Sequence, residues 1–307
     1  MLSSAPFEVP AYLLELTKDR GKVRMAVAGA DHPVALESAR QAVEQGLIEP
    51  VLVGDADTIR TLAHAADWDI TGYQLVNAPG EDKAPAAAVA LAKSGEVASL
   101  MKGHVHTDSL MKAVVQRESG LRTGRRLSHI FHMTVPNSDR VLLITDGAVN
   151  VSPDTATKID IVNNAVQLAH ALGTGHPHVA MLSGTESVIN AMPSSVDAAE
   201  VVKRAANGEV IGATVDGPFA FDNAVSVEAA ELKGIDSPVA GNADILVVPN
   251  IEMGNGLFKM MVYFMSGLAA GVVMGASVPI VLTSRADPPE ARFDATAIAA
   301  IAAGQDG

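Results

Sequence analysis

Near the carboxyl end of the chain, VPIVLTSRADPPEAR (278–292) carries an apolar run straight into Ser284 and Arg285, before Pro288 and Pro289 interrupt it. A hydroxyl beside a guanidinium at a strand end has two readings. Both side chains can donate hydrogen bonds to an anion, or Ser284 caps the final helix and Arg285 pairs with Glu290. The sequence holds no G-x-S-x-G elbow that would mark a serine nucleophile.

A second cationic region lies upstream. Lys102, Lys112, Arg117, Arg122, Arg125 and Arg126 are six of the chain's 22 lysines and arginines, opposed in that stretch only by Asp108 and Glu118. Clustered basic side chains are what phosphate recognition requires. The run ASLM delivers Lys102 and Gly103, and Thr107 then opens a helix that it can cap, with an N-terminus that attracts anions. A third segment, GNGLFK (254–259), follows the run ADILVVPN. It reads as a glycine-rich loop before a helix, with Lys259 on the first turn, although it is neither a Walker loop nor a dinucleotide fingerprint. Asp216 and Asp222 flank a Gly-Pro turn, and Asp222 reads as a helix cap. His104, His106, His129 and His132 lack a third ligand at diagnostic spacing, so no metal is expected.

These residues need strands that end together. KVRMAVAGA (22–30), VLVGD (51–55), YQLVNAP (73–79) and ASLMKG (98–103) are apolar runs separated by helical patterns, which implies parallel pairing and an α/β fold. RLSHIFHMTVP (126–136) and RVLLITDGAVN (140–150) read as a hairpin joined by NSD, and a long helix over 154–172 follows. Further strands are expected at 178–184, 211–217, 243–250 and 278–284, and a last helix after Pro288. In open α/β sheets ligands bind beyond the strands' carboxyl ends.

Composition narrows the function. With 307 residues, 48% hydrophobic, the chain can bury one large or two ordinary domains. A net charge of −13 with 4% aromatics disfavours nucleic acid as a partner. No cysteine is present, so disulfides and thiolate chemistry are excluded. The uncharged stretch 260–284 is broken by Gly267, Gly271, Gly275 and Pro279, so it is expected to be a buried helix and a strand and not a membrane span. No basic-then-apolar leader opens the sequence, and a cytoplasmic location is expected.

Six segments in order, LMKGHVHTDSLMKAVV, RTGRRLSHIFHM, LLITDGAVN, DGPFAFDNAVS, SPVAGNADILVVPNIEMGNGLFK and VPIVLTSRAD, resemble the phosphate acetyltransferase and phosphate butyryltransferase family, closer to the butyryl side. The resemblance runs from about residue 20 to the end. It implies reversible transfer of a short acyl group between coenzyme A and inorganic phosphate, with coenzyme A as substrate and no metal or redox cofactor. It also implies a homodimer and a two-domain fold like isocitrate and isopropylmalate dehydrogenases, with mainly parallel sheets and an inter-domain cleft. Residues 1–137 with 285–307 would form one domain and 138–284 the other. The family's Ser-Arg pair falls on Ser284 and Arg285. The catalytic aspartate of the acetyl side would lie seven residues after the serine, where this chain has Ala291, and Asp287 or Glu290 would have to replace it, Asp287 being preferred. Substrate contacts are expected from Lys102, Gly103, Thr107, Arg125, Arg126, Ser128, Asp222, Gly254, Asn255 and Lys259. Met253, Met260, Met261 and Phe264 would line an acyl pocket or belong to the core. Two alternatives remain: a hydroxy-acid dehydrogenase of the same fold, and a sensor that binds acyl-CoA or acyl phosphate without turnover.

Overall fold

In chain order the elements are α1 (Ala11–Thr17), β1 (Val23–Ala28), α2 (Pro33–Glu44), β2 (Ile48–Gly54), α3 (Ala56–Ala65), β3 (Gln74–Asn77), α4 (Lys83–Lys93), β4 (Ser99–Lys102) and α5 (Thr107–Val115). There follow β5 (Ser128–Thr134), β6 (Leu142–Thr145), α6 (Thr155–Ala171), β7 (His178–Leu182), α7 (Pro193–Arg204), β8 (Thr214–Phe219), α8 (Phe221–Val225), α9 (Val227–Leu232), β9 (Ile245–Val247) and α10 (Ile251–Met265). The chain closes with β10 (Leu268–Met274), β11 (Ile280–Val281) and α11 (Pro289–Ala303). This computed structural model describes residues 3, 5–18, 20–118, 120–284 and 287–304.

Two units divide the chain: residues 9–125 with 270–307, and residues 1–8 with 126–269. The sequence-based boundaries lay at 137/138 and 284/285. Strand pairing explains the difference. β11 lies parallel to β4, which keeps residues 278–284 in the first unit, and the β5–β6 hairpin keeps 128–137 in the second.

In the first unit the strands run β3-β2-β1-β4-β11-β10. β10 alone is antiparallel, pairing Val272 with Val281 and Val273 with Ile280. Near-continuous apolar runs such as Met25–Ala28 are buried because helices cover both faces of a parallel sheet. The registers Ala28↔Lys102 and Met101↔Val281 bring the carboxyl ends of β1, β4 and β11 level. The order also reverses here: β1 leads outward to β2 and β3 on one side, with β4 on the other. Such a switch point opens a crevice at the strand ends. Helix starts follow local chemistry. Pro33 occupies the first turn of α2, where no N–H partner is lost, and Asp55 accepts from Thr58 N at 2.8 Å to cap α3.

The last helix, α11, returns to this unit and packs on α1, α2 and β11. It is buried almost all round, and Ile298 and Ile301, both fully enclosed, each contribute about 1.5–3 kcal/mol. One residue breaks this apolar pattern. Asp294 is fully buried, and neither carboxylate oxygen has a hydrogen-bond partner among the described residues. Burial, aided by the charge of Glu290, pushes its pKa up to about 8. A carboxyl that ionises near pH 4 in the unfolded chain but near 8 in the fold costs stability progressively as pH rises between those values. Asp294→Asn is therefore expected to match the parent in Tm near pH 4 and to exceed it increasingly toward pH 8. A parallel pair of Tm–pH curves would contradict this.

In the second unit the order is β5-β6-β9-β7-β8. β5 and β6 are antiparallel, as the hairpin reading expected, and β6, β9, β7 and β8 are parallel. Phe131, Met133, Ile144, Leu182, Phe219 and Leu246 form its core, with Phe131 stacked on Phe258 of α10 at 3.9 Å. The expected buried helix at FKMMVYFM is only half buried. Met253, Leu257, Phe258, Met261 and Val262 pack inward, but Met260, Tyr263, Phe264 and Met265 are at least half exposed. The residues after Ser266 form β10, a strand the sequence reading did not assign. No helix among the described residues is long and apolar enough to cross a membrane.

Candidate active site

Because β1, β4 and β11 end level, the loops that follow them meet. Gly103 N donates to Ala28 O at 2.8 Å and His104 N to Gly29 O at 2.9 Å, which ties the loop after β4 to the loop after β1. A Cβ at Gly103 would lie 2.4 Å from Gly29 O, so only glycine permits this approach. The loops and the flanking helices α2 and α11 enclose a cavity of ≈ 180 Å³. Lys102, Gly103 and Ser284, all expected at the site, line it together. His32, Ser38, His104, Arg292 and Thr296 line it too, and the sequence reading had assigned none of them a site role.

Lys102 is only 8% exposed, and its Nζ lies 3.4 Å from Val105 O. Arg292 stands on the first turns of α11. Its Nε donates to Ser38 Oγ at 3.0 Å and its Nη1 donates to Asp287 O. His32 and His104 stack face to face, with centroids 3.8 Å apart and planes 6° from parallel, and His32 Nδ1 accepts from Val34 N. The loop carrying Ser284 is held by its neighbour: Ser284 N donates to Asp287 Oδ2 at 2.6 Å. Burial raises the Asp287 pKa, while the Ser284 amide, Arg292 and Lys102 pull it back. This carboxyl therefore lies within electrostatic reach of both cations. Arg285 lies outside the described residues.

Other expected site residues fall elsewhere. Glu290 faces a separate depression with Gln41, Glu44 and Phe293. Lys112, Arg117, Arg122, Arg125 and Arg126 are exposed, so of the basic cluster only Lys102 enters the cavity. The Arg126 amide donates to Asp160 Oδ2. Thr107 does not cap α5. His106 occupies the cap, and its amide donates to Glu81, whose carboxylate already takes the place of an anion at that helix start. Ser128 is fully buried, where its Oγ accepts from Asn164 Nδ2 at 2.9 Å.

Asp222 lies in the first turn of α8 and not at its cap, which is Ala220, while Ser226 caps α9. GNGLFK is not a loop. α10 begins after Asn250, whose side chain accepts from Met253 N, so Gly254, Asn255 and Lys259 are helical. Gly254 is there for closeness, since a Cβ would lie 2.8 Å from Asp146 O. Lys259 is exposed, its ammonium 5.9 Å from the Phe258 ring. His132 is fully buried in β5, and burial lowers its pKa to about 4, which keeps the ring neutral.

Most of the missed liners are distant in sequence from Lys102: His32 caps α2, Ser38 lies within it, and Arg292 and Thr296 belong to α11. Arg292 left the clearest trace, as a cation just inside the helix that follows the Ser284 loop.

Known proteins supply the remaining context. The chain is 49% identical to a phosphate acetyltransferase of Rickettsia prowazekii over 265 residues, 85% of this chain and 76% of that protein. It is 42% identical to a phosphate butyryltransferase of Clostridium acetobutylicum over 94% of this chain and 95% of that one. Among solved structures, a branched-chain phosphotransacylase from Enterococcus faecalis V583 superposes with a TM-score of 0.78 at 33% identity, covering 92% of this chain and 99% of that one. The phosphate acetyl/butaryl transferase family matches residues 81–300, a span that holds Lys102, Ser284 and Arg292. This chain belongs to that family.

Proposed function

We infer that this protein is an acyltransferase that moves a short acyl group reversibly between coenzyme A and inorganic phosphate. Family membership carries the activity, and one observation supports its location: Lys102, Arg292 and Ser284 line a single cavity at the switch point of a parallel sheet.

Phosphate, gathered by Lys102 and Arg292, attacks the thioester carbonyl through an oxygen. The carbonyl oxygen becomes an oxyanion that accepts a hydrogen bond from Ser284. Collapse of the tetrahedral centre breaks the carbon–sulfur bond, so thiolate leaves and acyl phosphate remains. In reverse, the thiol must lose its proton. Asp287 is the carboxylate beside Ser284, and its raised pKa makes it a better base than an ordinary aspartate. Arg285 completes the charge stabilisation in this reading. The other positions expected to touch substrate, including Thr107, Ser128 and Asn255, have no support from the cavity.

The assay is release of free thiol from acyl-CoA on addition of phosphate. Tight acyl-CoA binding with no phosphate-dependent thiol would refute turnover and leave a sensor. The reaction moves no electrons and needs no metal or redox cofactor, so activity is expected to survive EDTA treatment unchanged. A loss restored by a divalent cation would overturn that expectation.

The finer fold assignment, an isocitrate/isopropylmalate dehydrogenase-like fold, is supported by helix-covered parallel strands in each unit and by the return of α11 to the N-terminal one. The homodimer belongs to the proposal as well, supported by the exposed Met260, Tyr263, Phe264 and Met265 at the end of α10. Phe264→Glu is expected to shift the mass measured by light scattering from dimer to monomer, and an unchanged mass would remove α10 from the interface. The cytoplasmic location is tested by cell fractionation.

A further inference from the structure

We propose that His32 supplies a second hydrogen bond to the carbonyl oxygen during acyl transfer, donating from Nε2 beside the Ser284 hydroxyl. This rests on the acyl-transfer reading above.

Three features fix what this imidazole can offer. His32 is the N-cap of α2, and its Nδ1 accepts from the Val34 amide at 3.3 Å. A ring nitrogen that accepts carries a lone pair, so the proton of the neutral ring sits on the opposite nitrogen, Nε2. The helix cap therefore sets the tautomer. The ring plane is held as well, because His104 covers one face at 3.8 Å with the planes 6° apart. Finally, the ring lines the same ≈ 180 Å³ cavity as Ser284, Lys102 and Arg292. A side chain tied at one nitrogen and stacked across one face presents its remaining N–H without reorganising, which is what an oxyanion donor requires.

The charges in the cavity decide which atom this donor serves. Lys102 and Arg292 are full cations, suited to the phosphate dianion. The thioester oxygen is uncharged on binding and gains charge only as phosphate attacks. In the mechanism above it has one donor, a hydroxyl. A neutral ring N–H suits that oxygen, because it stabilises the oxyanion without giving up its proton. The carbonyl π pair moves onto oxygen as the new oxygen–carbon bond forms, then returns as the carbon–sulfur bond breaks, and Nε2 keeps its hydrogen throughout. Val34 and Ala35 of α2 line the cavity too, so the positive end of that helix's dipole lies at the same wall.

Two substitutions separate the donor from the cap. His32→Asn keeps a side-chain oxygen suited to capping but is too short to place an N–H where Nε2 lies. His32→Gln places an amide N–H near the Nε2 position and gives up the cap. Phosphate-dependent thiol release is measured with acetyl- and butyryl-CoA in parallel, alongside Tm. His32→Asn is expected to lower kcat by ~10²- to 10³-fold, with the KM for phosphate within ~2-fold and Tm at the parent value. His32→Gln is expected to keep kcat at least ~10-fold above that of His32→Asn, despite a lower Tm. A residue that only caps α2 gives the opposite order, with Asn near the parent and Gln the more impaired, and that result overturns the proposal. So does a His32→Asn defect that falls on the KM for phosphate, which would assign the N–H to phosphate instead. Should His32→Asn fail to fold by Tm, His32→Gln decides alone: a kcat within ~10-fold of the parent supports the donor, and a larger loss counts against it. A parent that turns over while both variants match it removes only His32. A parent with no phosphate-dependent thiol release from either acyl-CoA takes down the acyl-transfer reading itself, and the role of His32 with it.

Discussion

Ser284→Ala is expected to lower kcat by ~10²- to 10³-fold, the usual effect of removing one donor from an oxyanion site. The loop is fixed through the Ser284 backbone amide, held by Asp287 at 2.6 Å, and alanine keeps that amide. The residue is exposed and lines the cavity, away from the core. The loss should fall on kcat with little change in the KM for phosphate, because the oxyanion exists only after attack has begun. Steady-state kinetics in both directions will check this. A fully active variant would remove Ser284 from the chemistry.

Lys102→Met is expected to act differently. Methionine keeps most of the side-chain length in the buried stem but removes the ammonium. A hydrogen bond to a charged group contributes about 1.5–3 kcal/mol, so kcat/KM for phosphate should fall by ~10- to 150-fold. Most of that should be a higher KM for phosphate, while the KM for acyl-CoA changes less. A buried lysine within reach of Asp287 also has a structural reading, in which it merely neutralises a carboxylate. The two separate in the data. A purely structural lysine would lower Tm and depress both substrates' constants together. A phosphate ligand leaves a selective defect and weakens protection of Tm by phosphate alone.

Much of the site was legible because parallel strands announce themselves. KVRMAVAGA, VLVGD and ASLMKG are apolar runs closed by glycine or a charge, each is a strand, and the first and last of them end at the crevice. That reasoning put Lys102 and Gly103 at a ligand-facing strand end, and the family resemblance added Ser284. Two failures came from glycine. GNGLFK reads as a loop because glycine is a poor helix former, by about 1 kcal/mol relative to alanine. Gly254 is nonetheless helical, because α10 passes too near Asp146 for any side chain. LAAGVVM was passed over because its small residues resemble an interruption, yet Leu268–Met274 is β10, antiparallel beside β11. The exposure of one α10 face could not be read at all, because an apolar helix looks alike whether both its sides or only one are covered. Arg292 and the stacked histidines were out of reach for a different reason: their adjacency depends on which strands are neighbours, and sheet order is not written in local pattern.

The fit of Gly103 against Gly29 has a bearing on how this enzyme could diversify. Where the first and fourth strands finish, the backbone leaves no space for even one methyl. Substitution there cannot retune the substrate; it can only pry the lysine loose. Changes to the chamber fall instead on lining residues whose side chains can vary, such as Ala35 on α2 and Met101 on β4.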